Sequence, residues 1–193
     1  MTGKPTDDEI YGRAALKKGE PWIVPEALEH LKRIVRPEWY VFEWGCGGST
    51  VFFSKRCWGV VGIEHNSEWI VRVHELMERH ECPHNWTMRH VRGDGSGKPE
   101  GFRPYADVIR EYDDEMFDLI SIDGEASSRG WCLTNAIAKL KPGGYLLLDN
   151  SDWVKRDLGW ERWDYVAKGL KWVGQPGTFD WHTSIWRKPE VEE

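Results

Sequence analysis

The sequence predicts an α/β fold: a doubly wound, mostly parallel sheet with helices on both faces. Two observations carry that prediction. Short apolar runs of strand length alternate with amphipathic segments of helix length along most of the chain. The chain also has 193 residues, enough for one domain with a sizeable core.

The elements follow in order. The first 20 residues carry charge and a weak helical pattern (Ile10, Ala14, Leu16) and read as an N-terminal arm. Pro25 to Val35 sets Ala27, Leu28, Leu31, Ile34 and Val35 at helical spacing, with Arg36-Pro37 as the stop. Tyr40–Trp44 is the first strand; it runs into the turn GCGGST, and a helix follows from Thr50 to Arg56. Val60–Ile63 is the second strand, ending at Glu64, and Ser67 to His80 is a helix with Ser67 as its expected N-cap. Trp86–Val91 is the third strand, followed by the turn RGDGSGKPEG and a weak helix at Tyr105–Glu111. Phe117–Ile122 is the fourth strand, Trp131–Leu140 a helix stopped by Lys141-Pro142-Gly143-Gly144, and Tyr145–Leu148 the fifth strand. A Trp-rich helix from Asp152 to about Lys168 and two closing strands, Leu170–Val173 and Trp181–Trp186, complete the chain. Residues 1–36 are thus expected to form a helical arm or cap, and 37–193 the α/β body of one compact unit.

Composition narrows the function. With 26 Lys and Arg against 32 Asp and Glu, the net charge of −6 gives no phosphate-neutralising surface, so nucleic acid is not expected as a partner. The apolar runs are too short to span a bilayer, and the polar N-terminus MTGKPTDDEI is unlike a targeting peptide. Four widely spaced cysteines with no CxxC pair read as reduced thiols, and the expected location is cytoplasmic. The 13 Trp outnumber the 6 Phe and 6 Tyr, which points either to an unusual core filler or to a surface for a flat ligand.

In a doubly wound sheet the ligand sits beyond the carboxyl ends of the strands. Those ends are Glu43-Trp44-Gly45, Glu64-His65, Gly93-Asp94-Gly95, Asp123-Gly124 and Asp149-Asn150, and every one is acidic. The turn lacks the GxGxxG dinucleotide pattern, since position 50 is Thr, and Glu43 in front of it would repel a pyrophosphate. An acid there suits a ligand with an amino group. Glu64 lies 64 − 45 = 19 residues past Gly45, the distance at which a carboxylate accepts ribose hydroxyls. Asp94 is placed to accept an exocyclic amine. The ligand so described is an adenosine bearing an amino acid.

At these residues the chain resembles the class I S-adenosylmethionine-dependent methyltransferases. VFEWGCGGST is similar to their first motif, GIEHNSEW to the second, GDG to the adenine-side turn, and FDLISID with LKPGGYLLLDN to strands four and five. The resemblance spans Tyr40 to Asn150 and implies a Rossmann-like methyltransferase fold with seven strands in the order 3-2-1-4-5-7-6, the last antiparallel. It implies S-adenosylmethionine as cofactor. Glu43, Gly45, Gly47, Gly48, Ser49 and Thr50 would hold the methionine end, Glu64 the ribose, His65 the adenine face, and Asp94 with Gly95 the adenine amine, with Asp123 also lining the site. Trp69 is expected either near the base or in the core.

Asp123, Asp149 and Asn150, at the ends of neighbouring strands, look like the metal triad of cation-dependent O-methyltransferases, which implies Mg²⁺ or another divalent cation. That family places a lysine base three residues past the first Asp; here the position is Ala126. The expected catalytic residues are therefore Asp123, Glu125 and His182, with Arg129 as another candidate base. Zinc at His80-x-Cys82-x-His84 and a nucleophilic role for Cys46 are the less favoured readings. Trp22, Trp153, Trp160 and Trp163 fall where an acceptor would enter, and they could equally be packing residues. The expected activity is methyl transfer to a hydroxyl of a small molecule or glycan. The alternatives are an aminopropyl-type transferase and a non-catalytic carbohydrate-binding module. The sequence leaves oligomeric state open.

Overall fold

The computed structural model describes residues 7–96, 98–152, 171–174 and 182–190. Its element order is α1 (Asp7–Lys18), α2 (Pro25–Ile34), β1 (Tyr40–Trp44), α3 (Gly48–Ser54), β2 (Gly59–Glu64), α4 (Ser67–Arg79), β3 (Trp86–His90), α5 (Arg103–Asp107), β4 (Phe117–Ile122), α6 (Arg129–Lys139), β5 (Leu140–Asp149), β6 (Lys171–Gly174) and β7 (Thr183–Arg187). Short 3₁₀ turns flank α5 and precede α6. The expected Trp-rich helix lies outside the described residues.

The seven strands form one sheet in the order β3-β2-β1-β4-β5-β7-β6. Pairing is parallel from β3 to β5, and β7 runs antiparallel to both of its neighbours. The expected topology is therefore the observed one. Strand β2 is buried at every residue, and β1 at all but Tyr40, as expected for strands covered on both faces.

Alternation along β1 divides the core in two. Val41 faces α2 and α3, joining Leu28, Leu31, Phe52 and Phe53. Phe42 and Trp44 face α5 and α6, joining Tyr105, Ile109, Cys132 and Leu133. The largest fully buried side chain, Trp44, also satisfies its indole N–H by donating to the Tyr105 carbonyl at 2.9 Å. All four cysteines are free, with Cys46, Cys57 and Cys132 buried.

Three local readings shift. The cap of α4 is Asn66, not Ser67: its side-chain oxygen accepts from the N–H groups of Glu68 at 3.0 Å and Trp69 at 3.1 Å. Strand β5 begins at Leu140, because Gly143 and Gly144 exchange backbone hydrogen bonds with Lys188 and the expected stop is absorbed into the sheet. The tryptophan excess is not all core filler either, since Trp58 is 68% exposed with its edge against Tyr40.

No helix among the described residues is long and apolar enough to cross a membrane. Replacing the true cap should separate the two candidates. Asn66→Ala should cost about 1 kcal/mol and lower Tm by about 2–4 °C, whereas Ser67→Ala should stay within about 0.5 kcal/mol of wild type. Thermal melts followed by circular dichroism measure both, and the opposite ranking would move the cap back to Ser67.

Candidate active site at the strand ends

Register builds the site. Trp44 pairs with Ile63 on one side and Ile122 on the other, and Ile122 pairs with Leu148. The next residue on each strand therefore stands on one rung: Gly45, Glu64, Asp123 and Asp149 line the carboxyl edge of β1, β2, β4 and β5. The sheet reverses its winding between β1 and β4, and that is where a doubly wound fold opens a crevice.

At this crossing the chain is closely packed. Gly45 has φ +85°, and a Cβ there would lie 2.7 Å from the Asp123 carbonyl. Gly124 in turn sits under Tyr105, whose hydroxyl would be 2.0 Å from an added Cβ. The Asp123 N–H donates to the Trp44 carbonyl at 2.9 Å, and the Gly45 N–H to Ile63 at 2.8 Å.

Glu43 lies two residues before the rung and is fully buried. Both of its oxygens are taken by the loop it was expected to serve: Ser49 donates to Oε2 at 2.6 Å and Thr50 to Oε1 at 2.5 Å. It therefore braces the glycine turn from behind and does not face a ligand. Burial pushes its carboxyl up to about 7, against the two hydroxyl bonds and with help from the charges of Asp123 and Glu64. Gly48 likewise faces away from the crevice, since a Cβ there would meet the Glu20 carbonyl at 2.1 Å. Its glycine requirement comes from the arm packing on the loop. Trp69 completes the support by donating its indole N–H to the Cys46 carbonyl at 2.6 Å. It lies against the loop, between the two expectations held for it.

Glu64 is 3% exposed. Its Oε1 accepts the backbone N–H groups of His65 at 2.7 Å and Asn66 at 2.8 Å, and Oε2 accepts that of Cys46 at 3.3 Å. Burial alone would raise its carboxyl, but the His65 side chain and these N–H groups outweigh it and hold the group below its ordinary value. Glu64 is thus an anion, and Oε2, with a single long bond, retains acceptor capacity. Beside it the His65 ring meets Phe102 at 5.6 Å and Tyr105 at 5.7 Å, both edge-on. Phe102 also covers Gly93. Helical and strand periodicity could not single out these two aromatics, because Phe102 closes a 3₁₀ turn and Tyr105 sits in the middle of a five-residue helix.

Asp94 is solvent-exposed and accepts the Ser96 N–H at 2.8 Å; the Ser96 side chain, and then this N–H, hold its carboxyl below the ordinary value. Gly95 follows with φ +79° and open space around its Cα. This turn is held to the preceding wall by the Asp94 N–H, which donates to Gly101.

The acceptor side differs from its sequence reading. Glu125 caps the turn before α6: Oε2 accepts from the Ser127 hydroxyl at 2.6 Å and the Ser128 N–H at 3.0 Å. His182 is half-buried at the start of β7 and is tied to the chain after β5 through its backbone, with its N–H donating to Asp152 and its carbonyl accepting from Ser151. Asp149 is buried, and its Oδ1 accepts the Thr183 hydroxyl at 2.5 Å. Burial, and then the charge of Asp123, drive its carboxyl well above the usual range; burial raises Asp123 as well, against the charge of Arg129. Asp123 is more open, with 30% of its side chain exposed.

Between them stands Arg129, the first residue of α6. It donates to Asp123 Oδ1 at 3.1 Å, to Asn150 Oδ1 at 2.8 Å, to the Asp149 carbonyl at 2.7 Å, and twice to the Gly124 carbonyl at 2.9 and 3.1 Å. Of the side-chain oxygens expected to bind a divalent ion, Asp123 Oδ1 and Asn150 Oδ1 are thereby committed to a guanidinium, and Asp149 Oδ1 to the Thr183 hydroxyl. A divalent ion among them would face it at about 4 Å, at roughly 4 kcal/mol per pair of unit charges and about twice that for two charges. The donor set does not fit the metal. Among the described residues no group of three or more His, Cys, Asp or Glu side chains is placed to hold a metal ion. Trp22 is 41% exposed with its ring over Gly12, while Trp153, Trp160 and Trp163 lie outside the described residues.

No protein-family model matches the chain, and no curated relative does. Solved structures do. An rRNA methylase from Streptococcus thermophilus is similar with TM-score 0.63 and 12% identity, over 84% of this chain and 93% of that one. A candidate methyltransferase from Streptococcus mutans in complex with SAH gives 0.62 and 14%, over 85% and 97%. The [4+2]-cyclase SpnF gives 0.57 and 12%, over 99% of both.

Glu43 yields a pH prediction. Its folded value of about 7 stands above the ordinary 4.5, so the native state holds the proton more tightly than the unfolded chain. Its contribution to stability is full below pH 4.5 and is lost as pH rises through about 7. The loss amounts to roughly 3 kcal/mol for this fully buried group. Urea denaturation across that window should show the decline in wild type and a flatter profile in Glu43→Gln. Equal slopes would mean Glu43 is ionised throughout.

Proposed function

On the premise that this chain has the Rossmann-like fold of the class I S-adenosylmethionine-dependent methyltransferases, we propose that it transfers a methyl group from S-adenosylmethionine. The acceptor is a hydroxyl of a small molecule or glycan. The fold alone does not carry this, since SpnF shares it and is named as a cyclase. The observation that carries it is the chemistry of the crevice: an ionised, nearly buried Glu64 beside an aromatic wall, with the acids Asp123 and Asp149 on the same rung.

These residues fit an adenosine bearing an amino acid. Glu64 would hold the ribose hydroxyls, His65 and Phe102 the adenine face, and Asp94 with the open turn at Gly95 the adenine amine. The glycine turn Gly45–Gly47, held rigid by Glu43, Thr50 and Trp69, would take the methionine end. The bound cofactor supplies a methyl already activated on a sulfonium. The protein is then left to position the acceptor, exclude water and receive a proton.

Asp123 is the group suited to the last role, being the open acid on the acceptor side of the rung. Arg129 holds its Oδ1, burial raises its carboxyl, and its partly exposed side would accept from an incoming hydroxyl and take its proton. Glu125, committed to capping, supports neither a base nor the paired acids that an aminopropyl-type transferase would need.

Isothermal calorimetry with S-adenosylhomocysteine tests the reading. Binding should be present in wild type and weaker by about 10- to 100-fold in Glu64→Ala, the loss of one or two hydrogen bonds to a charged acceptor. No heat with wild type would sink the assignment, and undiminished binding in Glu64→Ala would remove Glu64 from the site.

A further inference from the structure

The strand ends pose a question that the cofactor side does not answer. Three oxygen-bearing residues, Asp123, Asp149 and Asn150, converge from two neighbouring strands in the pattern of a hard-cation site, yet a helix residue reaches into their midst. Arg129 has five N–H donors, and all five are used: one from Nε to Gly124, two from Nη1 to Asp149 and Asn150, and two from Nη2 to Asp123 and Gly124. Its side chain is 9% exposed. The planar fork therefore spans the end of β4, the turn after it and the end of β5. No donor is left over for a substrate.

We propose that Arg129 is the resident cation of this triad, standing where a divalent ion would otherwise sit, so that the protein works without added metal. Arg129 is a positioning residue. It fixes the Asp123 carboxylate by one oxygen. A point charge such as a lysine ammonium could match the sign but not the three-way geometry, which needs a rigid planar donor. The position also fits its element. Arg129 opens α6, where its backbone is anchored by the Glu125–Ser128 cap, so the side chain starts beside the strand ends it must bridge. The metal-free transfer rests on the activity proposed above, while the occupancy of the triad does not.

The test uses Mn²⁺ as probe on the full chain, read by electron paramagnetic resonance. Wild type is expected to bind no Mn²⁺ at this site. Arg129→Ala should gain a site at least roughly 10-fold tighter than anything in wild type, because the triad is uncovered and the repelling charge is gone. Adding Asn150→Ala to that variant should abolish the gained site, and Arg129→Lys should not bind, because the charge remains. A strut without the cation role would lose stability in Arg129→Ala without gaining Mn²⁺, and that outcome overturns the proposal. So does a Mn²⁺ site in wild type that disappears in Asn150→Ala, a measurement that decides the matter even if Arg129→Ala does not fold. In turnover assays wild-type rate should be unchanged by EDTA or Mg²⁺, and a rate abolished by EDTA and restored by Mg²⁺ would also overturn it. If no methyl transfer is found, the Mn²⁺ results stand alone and the failure belongs to the activity.

Discussion

The structure depends on keeping five acids at one edge of a sheet that is buried on both faces. Isolated carboxylates cannot be moved out of water unless each is compensated, and a parallel sheet gives no room to hide them. Each acid here has its own remedy. Glu64 is paid in backbone N–H groups from the residues that follow β2 and from the glycine turn. Glu43 has two hydroxyls and a proton within reach of neutral pH. Asp149 is pushed well above the usual carboxylate range by burial and accepts from Thr183, Asp123 is paired with Arg129, and Asp94 stays in water. The remedies fall into two groups by position. Glu64 is held as an anion where a ligand would approach, and beside it burial raises Asp123 against the opposing charge of Arg129. Where the chain closes behind the site, at Glu43 and Asp149, the acid is pushed toward its neutral form.

Much of this was legible in the sequence. Strands β1 and β4 fall at their expected residues, and the strand order is the one that the resemblance of the motifs from Tyr40 to Asn150 implied. What the sequence could not show is which way each acid points. Glu43 and Glu64 both read as ligand-facing. Register and side-chain alternation place Glu43 on the face covered by α3, where Ser49 and Thr50 capture it. Gly48 looked like part of the cofactor turn for the same reason, whereas its lack of a side chain is required by the Glu20 carbonyl. The triad was the larger misreading. Spacing alone showed three oxygen donors but could not show that a residue six positions past Asp123 would fold back among them.

The tryptophan excess resolves along similar lines. Trp44 fills the centre of one core half and Trp69 props the glycine turn, each using its indole N–H on a backbone carbonyl. Phenylalanine would fill the space at either position and leave that carbonyl without its donor. Trp186 packs into the core across the sheet, and Trp58 lies exposed at the far end of β2 from the site. Tryptophan is thus used in part as a hydrogen-bonding core residue, and the count by itself was no measure of a flat ligand.

The support of the glycine turn explains why the N-terminal arm belongs with the site. The turn is held by Thr50 from its own helix, by Trp69 from α4, by Glu43 from beneath, and by the arm, whose Glu20 carbonyl sits against Gly48. Gly19 just before it, at φ +65°, lets the arm turn tightly enough to pack on Val51 and His80. Four independent elements therefore converge on one turn of backbone. A catalyst whose chemistry is mostly placement needs that rigidity more than it needs reactive side chains, since an error of an ångström in the bound methyl donor costs more than any single hydrogen bond at the acceptor. On this view the buried groups behind the turn, which touch no ligand, determine the geometry in which Glu64 and Asp123 act.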